Sequence, residues 1–290
     1  MEDRKLSNKL DKNGKTEEEY LKEYDVNAYE RGPSISVDNL VFVIQVVESE
    51  NVRKLGDNEL QVLLIKRDEH PYIDYWSLPG AFVGKEETLE KACKRCLKDK
   101  TSIEGIKLEE LGVFDDVNRD PRTRIISIAY ICLLNKEVNN LMGNRGECDW
   151  FTITKSEDNK KIILENKDKE NKDSSIEKLE IHLKIKDNKL IVGDSDLPFD
   201  HGKLIYLGIE KLKKDIEEDD LAFSLMPEKF TLAQLQQVYN LFRDENNKYT
   251  KANFTRKIKD KIIETDEYFN GGFRPAKLYK YKEKDNENSN

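Results

Sequence analysis

The chain has 290 residues and a formal net charge of −8, with apolar and charged residues each making up 37% of it. This length suits one large domain and one small one. The share of apolar residues is below the usual globular average, which predicts a hydrophobic core together with long solvent-exposed segments. Four cysteines make no disulfide framework, no apolar run reaches the roughly 20 residues that span a bilayer, and the polar start is neither a signal nor a transit peptide, so we expect a cytoplasmic protein.

Apolar periodicity predicts the elements in chain order. Residues 1–33 are expected to form a polar arm, in which Thr16 and Glu19 can cap a short helix. Strands are predicted at Leu40–Val47, Glu59–Arg67, Thr123–Leu134 and Asp149–Thr154, and helices at Leu89–Lys100 and His201–Glu217. Charged residues dominate 159–193, where strand-like pieces at 162–164, 179–185 and 190–192 predict a β-rich insertion. A new core pattern after Pro227 predicts a domain boundary near Asp220.

The loop before the first helix carries part of a known signature. Leu78-Pro-Gly-Ala-Phe-Val-Gly-Lys-Glu86 resembles the opening of the Nudix signature, Gly-x5-Glu-x7-Arg-Glu-U-x-Glu-Glu-x-Gly-U with U aliphatic. Gly80 and Glu86 take its first two fixed positions. The register then places Arg95 and Lys98 where the family has glutamates, and Thr101 where it has its second glycine.

The resemblance implies an α/β/α Nudix sandwich over residues 34–220, and the substitutions bear on its chemistry. Family enzymes hydrolyse diphosphates with Mg²⁺ held on the helical glutamates. Arg95 and Lys98 would repel a metal, Asp99 is shorter than Glu, and Glu86 alone cannot build the site. We therefore expect a degenerate domain with no catalytic residue, no metal and no cofactor. A hydrolase of the ADP-ribose pyrophosphatase type with an accessory C-terminal domain is the alternative.

Two further motifs lie in this half of the chain. Cys93 and Cys96 form a C-x-x-C pair, but they lie on the apolar stripe of the helix and no second Cys/His pair is near, so core packing is favoured over zinc or redox chemistry. Leu197-Pro-Phe-Asp-His201 matches a Nudix step into the last helix of the domain. We expect His201 to pack or cap there.

The segment Arg119-Asp120-Pro121-Arg122 resembles Nudix domains of the ADP-ribose-handling and regulatory type. Arginine forks grip phosphate and aspartate accepts ribose hydroxyls, although a salt-bridged turn before a strand is the alternative. The predicted effector site consists of Arg67, Gly80, Phe82, Glu86, Arg119, Asp120 and Arg122.

The acidic net charge hides a basic C-terminal segment. Residues 228–284 hold thirteen Lys or Arg and eight Asp or Glu, which leaves the rest of the chain strongly acidic. A DNA-contacting module on an acidic partner domain gives this pattern, and so does ordinary variation in surface charge.

Two helices and a hairpin are predicted in this segment. Thr231 and Gln234 form a capping box, and Thr250 can cap the next helix, whose apolar side is Phe254, Ile258 and Ile262. Polar and cationic residues on the opposite side suit the major groove, although a solvated face looks similar. Asn270-Gly-Gly272 predicts a turn in a cationic wing. The predicted DNA-binding residues are Lys251, Asn253, Thr255, Arg256, Lys257, Lys259, Arg274 and Lys277.

Three C-terminal blocks, starting at Met226, Asn253 and Arg274, closely resemble the winged helix-turn-helix domain of Nudix-related transcriptional regulators of the NrtR type, which are bacterial repressors. The resemblance implies a winged helix over 221–284, followed by a polar tail at 285–290. It also implies a homodimer on a two-fold double-stranded DNA operator, with affinity altered by ADP-ribose or a related phosphorylated sugar, and no membrane partner. A nucleotide-binding module acting on another protein is a third possibility.

Overall fold

The computed structural model describes residues 16, 19, 32–46, 58–134, 148–166, 177–187, 189–243, 245–269 and 275–282. Most of the predicted arm and the whole of the predicted tail lie outside these residues. The capping pair in the arm is confirmed, because the Thr16 hydroxyl accepts from the Glu19 amide at 3.3 Å while the Glu19 carboxylate accepts from the Thr16 amide at 2.9 Å. Among the described helices, none is long and apolar enough to span a bilayer.

One mixed sheet forms the larger domain. Its strands are Ser34–Val46 (β1), Asn58–Lys66 (β2), Trp76–Ser77 (β3), Gly80–Phe82 (β4), Glu109–Phe114 (β5), Ile125–Leu134 (β6), Cys148–Lys155 (β7), Lys161–Asn166 (β8), Glu177–Lys186 (β9) and Lys189–Ser195 (β10). Their order is β10-β9-β8-β7-β2-β1-β6-β5, with β3 beside β2 and β4 beside β1. Strands β1 and β6 are parallel, and β1 is antiparallel to β2.

Helices cover both faces of this sheet, as the alternation of β1 requires. Val41 and Val43 face helix Leu89–Thr101 (α1), whose Leu97 shares their cluster. Leu40 and Phe42 face helix His201–Glu218 (α2). Gly208 lets α2 lie close to β1, since a Cβ there would stand 2.6 Å from Leu40. The predicted α/β/α sandwich is confirmed.

The smaller domain follows a one-turn helix, Leu221–Ser224 (α3). It contains Phe230–Thr231 (β11), Leu232–Leu241 (α4), Lys251–Ile258 (α5), Ile262–Phe269 (β12) and Ala276–Tyr281 (β13), with short 3₁₀ turns at Glu245–Asn247 and Lys259–Lys261. Strands pair in the order β11-β13-β12, the arrangement of a winged helix. Both predicted caps are present, Thr231 with Gln234 on α4 and Thr250 on α5. Helix α5 ends at Ile258, so Ile262 belongs to β12 and not to the helix.

The two domains share one hydrophobic core. Leu235, Val238 and Tyr239 of α4 and Phe254 and Ile258 of α5 are buried in the same cluster as the α2 face of the larger sheet.

The strand-like pieces predicted within 159–193 are β8, β9 and β10, which extend the larger sheet beyond β7. The described part of this segment therefore continues the sheet of the larger domain. Strands β5 and β11, and the short strands β3 and β4 just before and within the loop that begins at Leu78, were not predicted from the sequence.

Candidate functional site

A cleft of about 250 Å³ opens between β4, the loop after β2 and the start of α2. Predicted effector residues line it, together with others that the sequence did not single out. The predicted ones are Arg67, Gly80, Phe82, Arg119, Asp120 and Arg122, and the additional ones include Asp38, Lys100, Phe199 and His201. Glu86 is exposed and is not among the lining residues, so the structure does not bring it to the cleft.

The floor of the cleft is a buried network of charges. Arg119 donates to both oxygens of Asp200 at 2.7 and 3.1 Å and to Asp38 at 3.0 Å. The Ser127 hydroxyl donates to Asp38 at 2.6 Å. Burial alone would raise the pKa of Asp38, but donors from His201, Arg119 and Ser127 hold it well below its ordinary value. The network ties β1 to the first turn of α2.

The prediction that Arg119 grips phosphate therefore needs correction. Its side chain is only 4% exposed, and its guanidinium already serves two carboxylates. Such a group is a structural cation, because turning it toward a ligand would leave Asp38 and Asp200 buried without it.

His201 packs at the start of α2, as the sequence predicts. Its Nδ1 accepts a hydrogen bond from the Leu78 amide at 3.1 Å, so this nitrogen carries no proton. The ring proton is then on Nε2, which lies 3.6 Å from Asp38. The imidazole fixes the loop before β4 against the first turn of α2.

Arg122 and Arg67 bring positive charge to the aromatic rim of the cleft, which is formed by Phe82 and Phe199. Arg122, 42% exposed, donates to both oxygens of Asp120 at 3.0 and 2.7 Å, so the salt-bridged turn that the sequence left open is present. Its guanidinium lies 5.4 Å from the Phe82 ring and 5.8 Å from the Phe199 ring. Arg67 lies 5.2 Å from Phe199, and burial together with the charge of Arg122 lowers the pKa of Arg67.

Two backbone features shape the cleft. Phe199 has a positive φ of 56°, a conformation that bulky residues rarely adopt, and its ring meets Tyr72 edge-on at 5.0 Å. Gly80 packs against Asp38 so closely that a Cβ there would stand 2.5 Å from the Asp38 carboxylate. The Lys100 ammonium donates to the Gly80 carbonyl at 2.8 Å and so places a further cation at the cleft.

The degenerate signature forms a loop–helix clamp. Glu87, which the sequence reading passed over, accepts from the Gly84 amide at 2.6 Å and from Arg95 at 2.6 and 3.1 Å. The hydrogen bond from Arg95, followed by that from Gly84, lowers the pKa of Glu87 to about 2. Lys98 pairs with Glu104 at 3.1 Å. Within the described ranges no group of three His, Cys, Asp or Glu side chains is arranged to hold a metal.

The C-x-x-C pair packs in the core, as predicted. Cys93 and Cys96 are buried and free, and burial raises the pKa of Cys93 to about 12 and that of Cys96 to about 11. Thiols of this kind are inert, because the thiolate is the reactive and metal-binding form.

Helix α5 presents the polar face that the sequence predicts, with one exception. Lys251, Asn253, Arg256 and the following Lys259 are exposed, and Thr255 is half-buried with its hydroxyl donating to the Lys251 carbonyl. Lys257 instead turns to the larger domain. It lies 3.0 Å from the carboxylate of Glu217 in α2 and 5.6 Å from the Tyr239 ring. The prediction that Lys257 lies on the exposed face is wrong, because the helix packs against α2 on that side.

The wing is less cationic than predicted. Lys277 lies 3.9 Å from Glu264 and 5.1 Å from the Tyr268 ring, and Lys280 pairs with Glu228 at 2.6 Å. Ion pairs therefore offset both lysines. Arg274 and the predicted turn at Asn270-Gly-Gly272 lie outside the described residues.

Asp38 and Asp200 are the main site residues that sequence reading missed. An aspartate inside the apolar run of β1 is a signal of a buried polar contact, but its partner Arg119 lies 81 residues away. No local pattern links the two.

Family models match both domains. Residues 222–281 match the NrtR DNA-binding winged helix domain, and residues 52–172 match the NUDIX domain. The "ADPR responsive transcriptional repressor NtrR" of Acinetobacter baylyi is 28% identical over 93% of this chain and 90% of its own length.

Solved structures share the two-domain fold. A MutT/nudix family protein from Enterococcus faecalis has a TM-score of 0.66 and 22% identity, covering 91% of each chain. NrtR of Shewanella oneidensis, solved with a 27mer DNA, has a TM-score of 0.57 and 22% identity, covering 86% of this chain and 93% of its own.

Proposed function

We propose, from the premise that this chain belongs to the Nudix-related transcriptional regulators of the NrtR type, that it is a repressor that binds duplex DNA in the cytoplasm. Its winged helix would read an operator, and its Nudix domain would sense ADP-ribose or a related phosphorylated sugar. We also propose that it acts as a homodimer on a two-fold site, since dimeric helix-turn-helix proteins bind half-sites that repeat with the protein's own symmetry.

The exposed face of α5 is the observation that carries the DNA-binding half of the proposal. Thr250 caps the helix, and Asn253 and Arg256 project from its first two turns where they can reach base edges. Lys251 and Lys259 flank them and suit the phosphates on either side. Phe254 and Ile258 anchor the opposite face, so the helix offers its polar side from a fixed position.

The cleft supports a phosphorylated ligand with an aromatic portion. Arg67, Lys100 and Arg122 bring cations to its mouth, and Phe82, which is 48% exposed, offers a ring face. The cleft is smaller than the roughly 300–1,000 Å³ of pockets that enclose a drug-sized ligand. We therefore assign the diphosphate and one sugar to the cleft and the base to the exposed aromatic rim. The relative in Acinetobacter baylyi is named as ADPR responsive, which favours ADP-ribose as the first candidate.

We further propose that the domain senses this ligand without hydrolysing it. Arg95 stands at a position that should carry a metal-binding glutamate and is instead paired with Glu87 and with the Phe82 carbonyl at 3.0 Å. Binding of Mg²⁺ there would require Arg95 to break its hydrogen bonds to Glu87 and to the Phe82 carbonyl. A second cation, Lys98, would also repel the metal.

Selection of DNA by the purified protein tests the proposal. The full-length chain is mixed with a random duplex library, and the bound fraction is sequenced through several rounds. We expect one enriched two-fold motif, whose affinity changes when ADP-ribose is added and does not change with AMP alone. Absence of enrichment, with binding to all duplexes that vanishes near physiological salt, would leave α5 as an ordinary solvated face.

A further inference from the structure

Helix α2 joins the cleft to the recognition helix α5. Its first residue is His201, and the preceding Asp200 accepts from Arg119 on the cleft floor. Its eighteen residues span about 27 Å, and Glu217 lies at the far end. Along its length Leu204, Ile209 and other apolar residues are buried against the sheet. A helix packed in this way moves as a unit, so a displacement at one end reaches the other.

Glu217 holds three elements of the winged helix. One of its oxygens accepts from Arg243, which follows α4, and the other accepts from the Tyr249 hydroxyl at 2.8 Å. The Lys257 ammonium of α5 lies 3.0 Å from the same carboxylate and donates to the Glu217 main-chain carbonyl at 3.2 Å. A single residue of the larger domain thus contacts α5 directly and also both segments that support it.

The surroundings of this contact make it a defined position. Lys257 lies 5.6 Å from the Tyr239 ring and 5.7 Å from the Tyr249 ring, and Arg243 lies 4.1 Å from the Tyr249 ring. Burial alone would raise the pKa of Glu217, but hydrogen bonds from Tyr249, Lys257 and Arg243 lower it. The Glu217 carboxylate is therefore ionised at neutral pH. Two cations converge on one carboxylate between two aromatic rings, and alternative placements of Lys257 would lose several of these contacts.

We propose that Glu217 is the positioning residue through which the occupied cleft changes the placement of α5 on DNA. The inference rests on the proposed function and deepens it by naming the point of coupling. Phe199 and His201 line the cleft on either side of Asp200, so a ligand that contacts them acts directly on the start of α2, which Arg119 ties to Asp38 of β1. The rigid helix carries that change to Glu217, and Glu217 carries it to Lys257. Coupling of this kind needs differential contacts in two states, and the Glu217–Lys257 pair supplies contacts that one state can lose.

The neighbouring residue provides a matched control. Glu218 carries the same charge one position later, but its side chain is 64% exposed and pairs with Lys214 of the same helix at 3.8 Å. Glu218→Gln therefore removes an equal charge from the same helix end without touching the contact with Lys257. A second link between the domains, from Lys261 to Asp220 at 2.9 Å, remains in both variants.

The test measures coupling in the full-length protein. The probes are ADP-ribose and the duplex that the wild-type protein enriches from a random library. Three proteins are compared: wild type, Glu217→Gln and Glu218→Gln. For each, the Kd for the duplex is measured with and without saturating ADP-ribose, and the Kd for ADP-ribose is measured in the absence of DNA. The coupling ratio is the duplex Kd with ADP-ribose divided by the duplex Kd without it. We expect Glu217→Gln to bring this ratio at least threefold closer to one, while its Kd for ADP-ribose changes less than twofold. Glu218→Gln should keep the wild-type ratio.

Three further variants guard against a merely structural effect. Tyr249→Phe removes one hydrogen bond to Glu217 and keeps the ring, so a folded variant with a partly reduced ratio is expected. The double variant Glu217→Gln/Lys257→Met should lose no more coupling than either single variant, because the two substitutions remove the same contact. If Lys257→Met instead keeps the ratio and only weakens DNA binding with a shallower salt dependence, Lys257 contacts phosphate and the inference is wrong.

The outcomes separate the inference from the function on which it rests. A wild-type ratio of one would contradict the proposed function itself. A wild-type ratio far from one that Glu217→Gln leaves intact would overturn only the role of Glu217. Reciprocity provides a check within each protein, since the duplex must change ADP-ribose affinity by the same factor.

Discussion

Arg256 donates a hydrogen bond of 2.7 Å to the side-chain oxygen of Asn253, so the two candidate base readers of α5 hold each other in place. Both are exposed and lie one turn apart on a capped helix. The guanidinium has five donors, so this contact leaves others for a base. An arginine restrained in this way loses less conformational freedom on binding DNA.

Replacing Arg256 with Ala should weaken binding to the enriched duplex by about 1–3 kcal/mol, the usual discrimination of one bidentate base contact. On random duplex the loss should be much smaller. Competition titrations with both duplexes measure the two effects. Lys91→Ala, at an exposed position of α1, is the control and should change neither. Equal losses on both duplexes would move Arg256 from base to phosphate.

Lys259→Ala should behave differently, because this exposed side chain at the end of α5 is placed for phosphate. Binding to the enriched and random duplexes should weaken similarly. The slope of log K against log salt should fall by about one ion. Titrations at several salt concentrations measure both quantities. A change of sequence preference would contradict the assignment.

The features predicted correctly from the sequence are mostly local. The capping boxes at Thr16 and Thr231 join residues three apart, and the apolar stripe that buries Cys93 and Cys96 repeats within one helix. Such patterns are complete within a short window, so the sequence alone displays them.

The features that were missed depend on which segments meet in space. The sequence around Arg119 predicts a phosphate ligand, and only the structure shows that Asp38 and Asp200, each 81 residues away, lie beside it. Lys257 lies on the polar side of α5 by periodicity, yet Glu217, 40 residues earlier, covers it. Periodicity says which side of a helix is polar, and only packing says whether that side meets water.

Arg122→Ala should weaken ADP-ribose binding by tenfold or more, because charge-assisted hydrogen bonds contribute roughly 1.5–3 kcal/mol each. Calorimetry without metal measures the affinity. Arg124 is a matched control two residues later, where its guanidinium donates to the Asp115 carbonyl and does not line the cleft. Arg124→Ala should leave affinity within about twofold, reflecting a surface change that touches no ligand. Equal effects of the two substitutions would place the ligand elsewhere.

Purified protein with Mg²⁺ should not turn over ADP-ribose above the rate in buffer, since Arg95 is bonded to Glu87 where the signature needs a metal-binding carboxylate. Chromatographic detection of AMP and ribose 5-phosphate measures the reaction. Hydrolysis that disappears in Glu86→Gln would establish the alternative, an ADP-ribose pyrophosphatase. Hydrolysis that survives that change and co-elutes with the protein would also contradict the prediction and would place the reaction away from Glu86.

Arg119→Ala should destabilise the protein by about 3–5 kcal/mol, the usual cost of leaving buried charges without their partner. The two carboxylates that lose the guanidinium, Asp38 and Asp200, are 8% and 15% exposed. Urea unfolding at neutral pH measures the loss. A deficit below about 1 kcal/mol would contradict the structural role assigned to Arg119.

The pH dependence of this deficit follows from the direction of the Asp38 pKa. In the wild type the pKa is lowered, so its contribution to stability is full above the ordinary value of about 3.9 and is lost as the pH falls through the lowered one. Arg119→Ala removes one of the causes that lower this pKa, while the contacts of Asp38 with His201 and Ser127 remain. The native pKa of Asp38 should therefore be higher in the variant than in the wild type, although still lowered by its remaining partners. The deficit of Arg119→Ala should be largest at neutral pH, where Asp38 is ionised in both proteins, and should shrink as the pH falls through the native pKa of the variant. Urea unfolding of both proteins at pH 7 and at pH 3 measures the change, and an equal deficit at both values would show that Arg119 does not act through the charge of Asp38.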